Sequence, residues 1–119
     1  MVEKYQLVGT GYLYSVWNGK LKEYKGDIWH SDKCMVDGYI LPERTLFDIV
    51  DERGKKIKSL NCASKDGVVY NKVVWLVESD RSKAAEILID WEMQQISALQ
   101  MKIDNHNDLI DTLRKEAGL

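Results

Sequence analysis

Two neighbouring parts of the chain contain side chains suited to binding a small polar molecule. In the first, Tyr70 and Trp75 offer aromatic faces and Asn71 offers an amide. In the second, Arg81 offers a guanidinium group. Stacking on an aromatic ring, combined with charge-assisted hydrogen bonds, suits a nucleobase that carries phosphate. We therefore predict a ligand crevice where the last strand meets a following helix; the alternative is that Trp75 is a core residue that locks helix to sheet.

Basic residues form a second candidate binding feature, in two strand-like arms. These residues are Lys20, Lys22, Lys25, Arg53, Lys55, Lys56 and Lys58. Because successive side chains of a strand point to opposite faces, Lys56 and Lys58 share one face. The other interpretation is that part of this set is an ordinary solvated sheet surface.

The sequence offers little for catalysis or metal binding. It has two histidines and lacks GxSxG, HExxH, GxxxxGK and GxGxxG. Gly9-Thr10-Gly11 lies inside a strand-like run, where a β-bulge explains it better than a phosphate loop. His30 and Cys34 could begin a metal site, but no CxxC or HxxxH accompanies them, and both Cys34 and Cys62 are expected to be reduced. We predict a non-catalytic binding protein without metal or cofactor.

Length and charge set the class of protein. The chain has 119 residues, enough for one domain, and its 17 basic and 19 acidic side chains give a net charge of −2. No global field therefore draws it to duplex nucleic acid or to an anionic membrane. No apolar run reaches the length of a spanning helix, and the first residues lack the order of a signal peptide. The expected location is cytoplasmic.

Residues 1–78 alternate strand-like runs with turn signals, which predicts an antiparallel β core. The expected strands are residues 8–17, 20–24, 28–31, 39–41, 46–51, 55–60 and 68–77. Asn18-Gly19 is a typical two-residue hairpin turn, and Gly26-Asp27 and Asp37-Gly38 are expected to separate the following runs. Tight turns join antiparallel neighbours, so we predict a meander-like sheet or a small half-open barrel within an α+β fold.

Residues 79–118 are predicted to form one long amphipathic helix that begins at Ser79 or Asp80, since neither Gly nor Pro occurs there before Gly118. A kink at residues 105–108 is the alternative, because Asn and Asp are middling helix formers. An apolar seam with a seven-residue repeat is predicted to mediate self-association, interrupted by polar Glu92 and His106. The oligomerisation residues are Ile89, Ile96, Leu99, Ile103, His106, Ile110 and Leu113.

Helix length explains why a second copy is expected. A helix from Asp80 to Ala117 would be about 57 Å long, at about 1.5 Å per residue, and would extend beyond a β core of some 78 residues. Each Ile or Leu left in water would forfeit about 1.5–3 kcal/mol. We therefore predict a homo-oligomer, a dimer or a higher assembly.

A resemblance to a known family enters at residues 67–76 (GVVYNKVVWL) and 80–87 (DRSKAAEI). These segments resemble small proteins of phages and prophages of Gram-positive bacteria, in which a β core leads into a long helical region. Among them, the chain is most similar to the first family of Thoeris anti-defence proteins. Those proteins are oligomeric sponges that sequester cyclic ADP-ribose-type immune signals, and some relatives also take cyclic nucleotides.

The resemblance implies a pocket between subunits and a set of site residues. Asn71 and an aromatic such as Trp75 would read the ligand, and Arg44, Lys56 or Arg81 would hold its phosphates. The expected function is sequestration of a cyclic ADP-ribose-type or cyclic oligonucleotide signal, without cleavage, in the cytosol of a bacterial host. The alternative is a non-enzymatic phage inhibitor or structural component, whose coiled coil presents the sheet to a protein or nucleic-acid partner.

Overall fold

The computed structural model describes residues 5–119 and has an α+β fold. Its elements are β1 (Gln6–Trp17), β2 (Lys20–Ser31), β3 (Cys34–Val36), β4 (Tyr39–Leu41), β5 (Arg44–Val50), β6 (Lys56–Asn61), β7 (Val74–Leu76) and α1 (Arg81–Ala117). The chain separates into two compact units, the first ending at Leu88 and the second comprising Ile89–Leu119. α1 lacks the combination of length and apolar character that a membrane span needs.

The first unit contains a five-stranded antiparallel sheet in the order β6-β5-β2-β1-β7, which confirms the predicted antiparallel core. β6 and β7 are its two edges, and β3 and β4 form a separate hairpin around Asp37-Gly38. The bulge expected near Gly9 lies between Leu7 and Gly9, where the β1–β2 register shifts. The exposed edge strand β6 includes Lys56 and Lys58.

β2 runs without interruption through Gly26, where the sequence predicted a turn. Gly26 pairs with Gly11 on β1 and with Ile49 on β5. A Cβ atom at Gly26 would lie 2.0 Å from the carbonyl oxygen of Asp48 and 2.6 Å from Cε1 of Phe47. The glycine therefore serves the close approach of β5 rather than a reversal of the chain.

The last strand is shorter than predicted, because residues 70–73 form a turn. Asn71 and Lys72 have φ angles of 50° and 65°, and the Tyr70 and Val73 amides each donate to the other's carbonyl at 2.9 and 3.0 Å. Two consecutive residues with positive φ are typical of a two-residue hairpin turn. The predicted strand at residues 68–77 is therefore wrong in length, and β7 contains only Val74–Leu76.

Both faces of the sheet are covered by apolar side chains, at least in part. One face holds a cluster of Leu13, Ile28, Phe47, Ile49, Cys62 and Trp75. The other holds Tyr14, Val74, Leu76 and Ala84. Ala84 belongs to the first turn of α1 and is fully buried, so the start of the helix packs on this second face.

Tyr14 fixes the start of α1 to the β1–β2 hairpin. Its side chain is fully buried, its hydroxyl donates to Glu23 Oε2 at 2.5 Å, and the Asp80 amide donates to that hydroxyl at 2.8 Å. Ser79 Oγ donates to the same Glu23 oxygen at 2.8 Å. Burial raises the pKa of Tyr14, and the hydrogen bond to Glu23 raises that pKa further.

α1 is capped at both ends and is helical throughout. The Lys83 amide donates to Asp80 Oδ1 at 3.0 Å, which makes Asp80 the N-cap. At the other end Gly118 has φ +73°, and the Leu119 amide donates to the Arg114 carbonyl at 2.8 Å, a Schellman arrangement. The helical conformation continues through residues 105–108 without a break.

We expect Gly26→Ala to destabilise the first unit strongly. The new methyl group would overlap the Asp48 carbonyl, and overpacking of this kind costs about 1–3 kcal/mol or more. Urea denaturation followed by far-UV circular dichroism measures the effect. Gly9→Ala is the matched control, since its Cβ would meet nothing within 4 Å; equal stability of the two variants would contradict the close approach of β5.

We expect Tyr14→Phe to lower the free energy of unfolding by about 1–3 kcal/mol, because the Asp80 amide loses its acceptor. Tyr24→Phe is the control on the same hairpin, where the ring packs against the core. The pKa of Tyr14 in the folded state is raised above its ordinary value of 10.0. The protonated hydroxyl therefore contributes its full stabilisation of the fold below pH 10, and this stabilisation is lost as the pH rises further. The difference between wild type and Tyr14→Phe should therefore narrow above pH 10; a constant difference would contradict the network.

Candidate functional site

The first unit has a cleft of about 650 Å³ where β2 ends and β5 begins. Its wall includes the start of β1, the link from β2 to β3, and the loop after β6. Most of its side chains are polar. The lining includes His30, Ser31, Asp32, Lys33, Cys34, Glu43, Thr45, Ser64 and Lys65.

His30 is the most firmly positioned side chain of the cleft. It pairs with Thr45 across β2 and β5, its Nδ1 lies 2.8 Å from Thr45 Oγ1, and its Nε2 lies 3.2 Å from Asp32 Oδ1. Glu43 Oε2 lies 3.7 Å from the same Nε2. Carboxylates only accept hydrogen bonds, so Nε2 carries the hydrogen that faces Asp32 and Glu43. The imidazole is therefore oriented from both sides.

Two ammonium groups of the cleft are available to an anion. Lys33 and Lys65 are both exposed at its wall. No carboxylate of residues 5–119 lies within 4 Å of either ammonium group. The cleft thus combines two uncompensated cations with a neighbouring acidic cluster that is already engaged by an imidazole.

The two cysteines occupy different environments. Cys34 is half-buried and lines the cleft, whereas Cys62 is 6% exposed within the core. Burial raises the pKa of Cys62 to about 12, so its thiolate is scarcely populated near neutral pH. In the described part of the chain, no group of three or more His, Cys, Asp or Glu residues is arranged to hold a metal ion.

Trp75, which the sequence offered as either a ligand-stacking or a core residue, lies in the core. It is 4% exposed and packs in the cluster with Leu13 and Phe47. Its indole N–H donates to the Ala63 carbonyl at 2.6 Å. The ring and its polar atom are therefore both used by the fold.

Tyr70 and Asn71 lie together in the turn before β7. Asn71 takes a left-handed backbone conformation, and Tyr70 is half exposed beside it. Asn tolerates this conformation better than most residues, which gives Asn71 a structural reason to be there. Among the ligand residues predicted from the sequence, Tyr70 and Asn71 are therefore the two that lie together in one turn.

The predicted basic residues are spread along the sheet rather than gathered. Arg44 begins β5 and pairs with Ser31, whereas Lys56 begins β6 and pairs with Val50 at the other end of β5. Six residues of strand separate these ends, about 20 Å at about 3.3 Å per residue. Arg81 is the exposed first residue of α1. Arg44 and Lys56 therefore do not share a phosphate site within one chain.

The crevice expected between the last strand and the helix start is present but small. It measures about 70 Å³ and is lined by Asp66, Leu76, Val77, Glu78, Asp80 and Lys83. Three carboxylates against one ammonium group make it acidic. It does not suit a phosphorylated nucleotide, and none of the six predicted ligand residues is in its lining. In a single chain the lining of this crevice therefore differs in size and in charge from the predicted nucleotide crevice, and the pocket between subunits that the resemblance implies stays a prediction.

Sequence reasoning did not assemble the His30 cleft. It noted His30 and Cys34 only as a candidate metal pair. The available signal was the His-x-Asp spacing of His30 and Asp32 at the end of a strand-like run. Glu43 and Thr45 could not be joined to that pair before the β2–β5 register was known.

In the second unit, α1 exposes its heptad seam along its length. Ile96 is 65% exposed, Leu99 58% and Ile103 52%. The seam residues Ile89, Ile110 and Leu113 are exposed as well. In a single chain the predicted oligomerisation surface is therefore uncovered.

Comparison with models of known protein families, with curated proteins and with solved structures finds no match for this chain.

We expect alkylation at pH 8 to distinguish the two thiols. Iodoacetamide should modify Cys34 in the folded protein and should reach Cys62 only after denaturation, because Cys62 is buried and its pKa is raised. Mass spectrometry of the proteolysed protein measures modification at each site. Modification of Cys62 at the same rate as Cys34 in the folded state would contradict the core packing.

Proposed function

We propose that this protein is a homo-oligomeric binding protein that sequesters a nucleotide-derived signal without cleaving it. The signal class is the cyclic ADP-ribose type or a cyclic oligonucleotide, and the setting is phage evasion of bacterial immunity, as the resemblance implies. The observation that carries this proposal is the His30 cleft. Its volume of about 650 Å³ lies within the range of about 300–1,000 Å³ that small-molecule sites occupy.

The polar groups of the cleft support a phosphorylated ligand. Lys33 and Lys65 supply positive charge, and the Ser64 hydroxyl lies in the same wall. Phosphate oxygens accept charge-assisted hydrogen bonds from ammonium groups. This choice moves the proposed phosphate contacts from Arg44, Lys56 and Arg81 to the two cleft lysines.

The arrangement of His30 supports binding rather than turnover. Thr45 and Asp32 hold both ring nitrogens at hydrogen-bond distance. A general base needs a nitrogen that can take the substrate's proton, whereas Nε2 carries a hydrogen directed at Asp32 and Nδ1 is engaged by Thr45 inside the sheet. We assign His30 to shaping the wall and to donating a hydrogen bond when Asp32, which is exposed, turns towards solvent.

The exposed seam of α1 supports self-association. Covering an Ile or Leu side chain contributes about 1.5–3 kcal/mol, so several of them in one seam provide enough energy for a stable oligomer.

A second candidate function is docking of a protein partner through the β3–β4 hairpin. Three of its apolar residues are well exposed, namely Met35 at 61%, Tyr39 at 75% and Ile40 at 59%. Exposed apolar side chains gathered on one element are typical of interaction surfaces. In this function the coiled coil would present the β unit to a partner, in an inhibitor or a phage structural component.

Ligand retention tests the proposed function. The purified protein is incubated with cyclic ADP-ribose isomers and with cyclic dinucleotides, separated from free ligand, heat-denatured, and the released material is analysed by mass spectrometry. Intact ligand is the expected result. A converted product would replace sequestration by catalysis, and no retention would favour the partner-binding function.

Matched variants locate the site. Lys33→Gln with Lys65→Gln should weaken retention at least about tenfold, since a charge-assisted hydrogen bond contributes about 1.5–3 kcal/mol. Lys56→Gln with Lys58→Gln removes the same charge from the edge strand and should leave retention unchanged. Bound ligand should also protect Cys34 from iodoacetamide. Loss of retention in the edge-strand pair alone would place the phosphate site on β6.

A further inference from the structure

The polar interruptions of the α1 seam carry information about how two helices align. Glu92 and His106 occupy d positions of the heptad, each seven residues from Leu99 on opposite sides. All three side chains are exposed in the single chain. The pattern is therefore symmetric about Leu99 in position and complementary in chemistry.

A parallel, in-register pair would place identical residues opposite each other. Glu92 would then face Glu92 of the second copy inside an apolar seam. The repulsion between two adjacent carboxylates would destabilise the paired helices. His106 would then face His106 of the second copy, and neither imidazole N–H would have a carboxylate to accept its hydrogen bond. The same residues that interrupt the seam therefore act against this alignment.

An antiparallel pair reverses the second helix and exchanges these partners. We propose that residues 89–106 pair with the same segment of a second copy in an antiparallel coiled coil whose two-fold axis lies near Leu99, with Glu92 of each copy bonded to His106 of the other. This inference rests on the self-association in the proposed function and specifies its geometry. An imidazole N–H donates to a carboxylate in either protonation state, so the pair needs no titration to form.

The layers of this pairing follow from the heptad. In an antiparallel seam an a residue of one helix faces a d residue of the other, so Ile96 layers with Leu99 and Ile103 layers with Glu92. His106 then layers with Ile89, three residues along the axis from Glu92, which is about 4.5 Å at about 1.5 Å per residue. That axial offset is within reach of a Glu side chain, and the two-fold axis repeats the contact.

A second antiparallel register, in which one helix slides by one heptad, also keeps Leu99 near the two-fold axis. Lys102 distinguishes these two registers. In the register above, Lys102 faces Gln95 of the second copy. Sliding one helix by a heptad places Lys102 against Lys102 instead, and like charges in this position are unfavourable. The first register is therefore preferred.

Distances between spin labels in the full-length protein test the orientation. A nitroxide is attached to Asp111→Cys in a Cys34→Ser background, with Cys62 kept because it is buried. Antiparallel pairing places the two labels about 40 Å apart along the axis in the preferred register and about 30 Å apart in the other. A parallel pair places them within roughly 20 Å, since packed helices lie about 8–10 Å apart. Pulsed electron paramagnetic resonance measures this distance.

A label at Ala98→Cys is the matched control. This exposed position lies beside Leu99, so both orientations predict a short distance, which verifies that the helices have paired. A short distance at residue 98 with a long one at residue 111 supports the antiparallel pair. Short distances at both positions overturn it while leaving self-association and ligand retention intact. A monomeric mass in light scattering overturns this inference together with the oligomer of the proposed function.

A double-mutant cycle tests the Glu92–His106 contact separately. The dimer dissociation constant is measured by sedimentation for wild type, Glu92→Ala, His106→Ala and the double variant. The antiparallel pair predicts that the two effects are not multiplicative, with a departure of about threefold to tenfold. Independent effects overturn the contact, because on one helix these residues are fourteen positions, about 21 Å, apart.

Discussion

Two facing glycines allow the central hairpin to accept a neighbouring strand on each side. Gly11 and Gly26 pair across β1 and β2. A Cβ at Gly11 would lie 2.8 Å from the Leu76 carbonyl oxygen of β7, and a Cβ at Gly26 would meet the Asp48 carbonyl of β5. The five-stranded order therefore depends on two missing side chains. The Trp75 cluster and the His30 cleft follow from it, since β7 supplies Trp75 and β5 supplies Thr45.

The helix could be predicted from the sequence more completely than the β core, for a physical reason. The helix could be predicted because its caps, its lack of breakers and its seven-residue repeat are all local in the sequence. The antiparallel core followed from tight turns such as Asn18-Gly19. Gly26 was misjudged because a glycine that breaks a strand and one that admits a neighbouring backbone look alike in sequence. Asn71-Lys72 was missed as a turn because Lys at positive φ is uncommon.

The candidate site was less predictable than the fold, since it depends on contacts between strands. His30 and Thr45 are fifteen residues apart, and only the β2–β5 register brings their side chains to 2.8 Å. Trp75 illustrates the opposite problem. An aromatic residue next to polar neighbours predicts a binding surface and a core anchor equally well, and its burial against Leu13 decides between them.

The lysines of β6 have a consequence for how the protein can assemble. An edge strand has unpaired backbone groups that can template another strand, and the unpaired edge of β6 carries Lys56 and Lys58 along an exposed run. Bringing two such edges together would oppose these ammonium groups. Open-ended growth by strand addition, the route towards fibres, is thereby disfavoured.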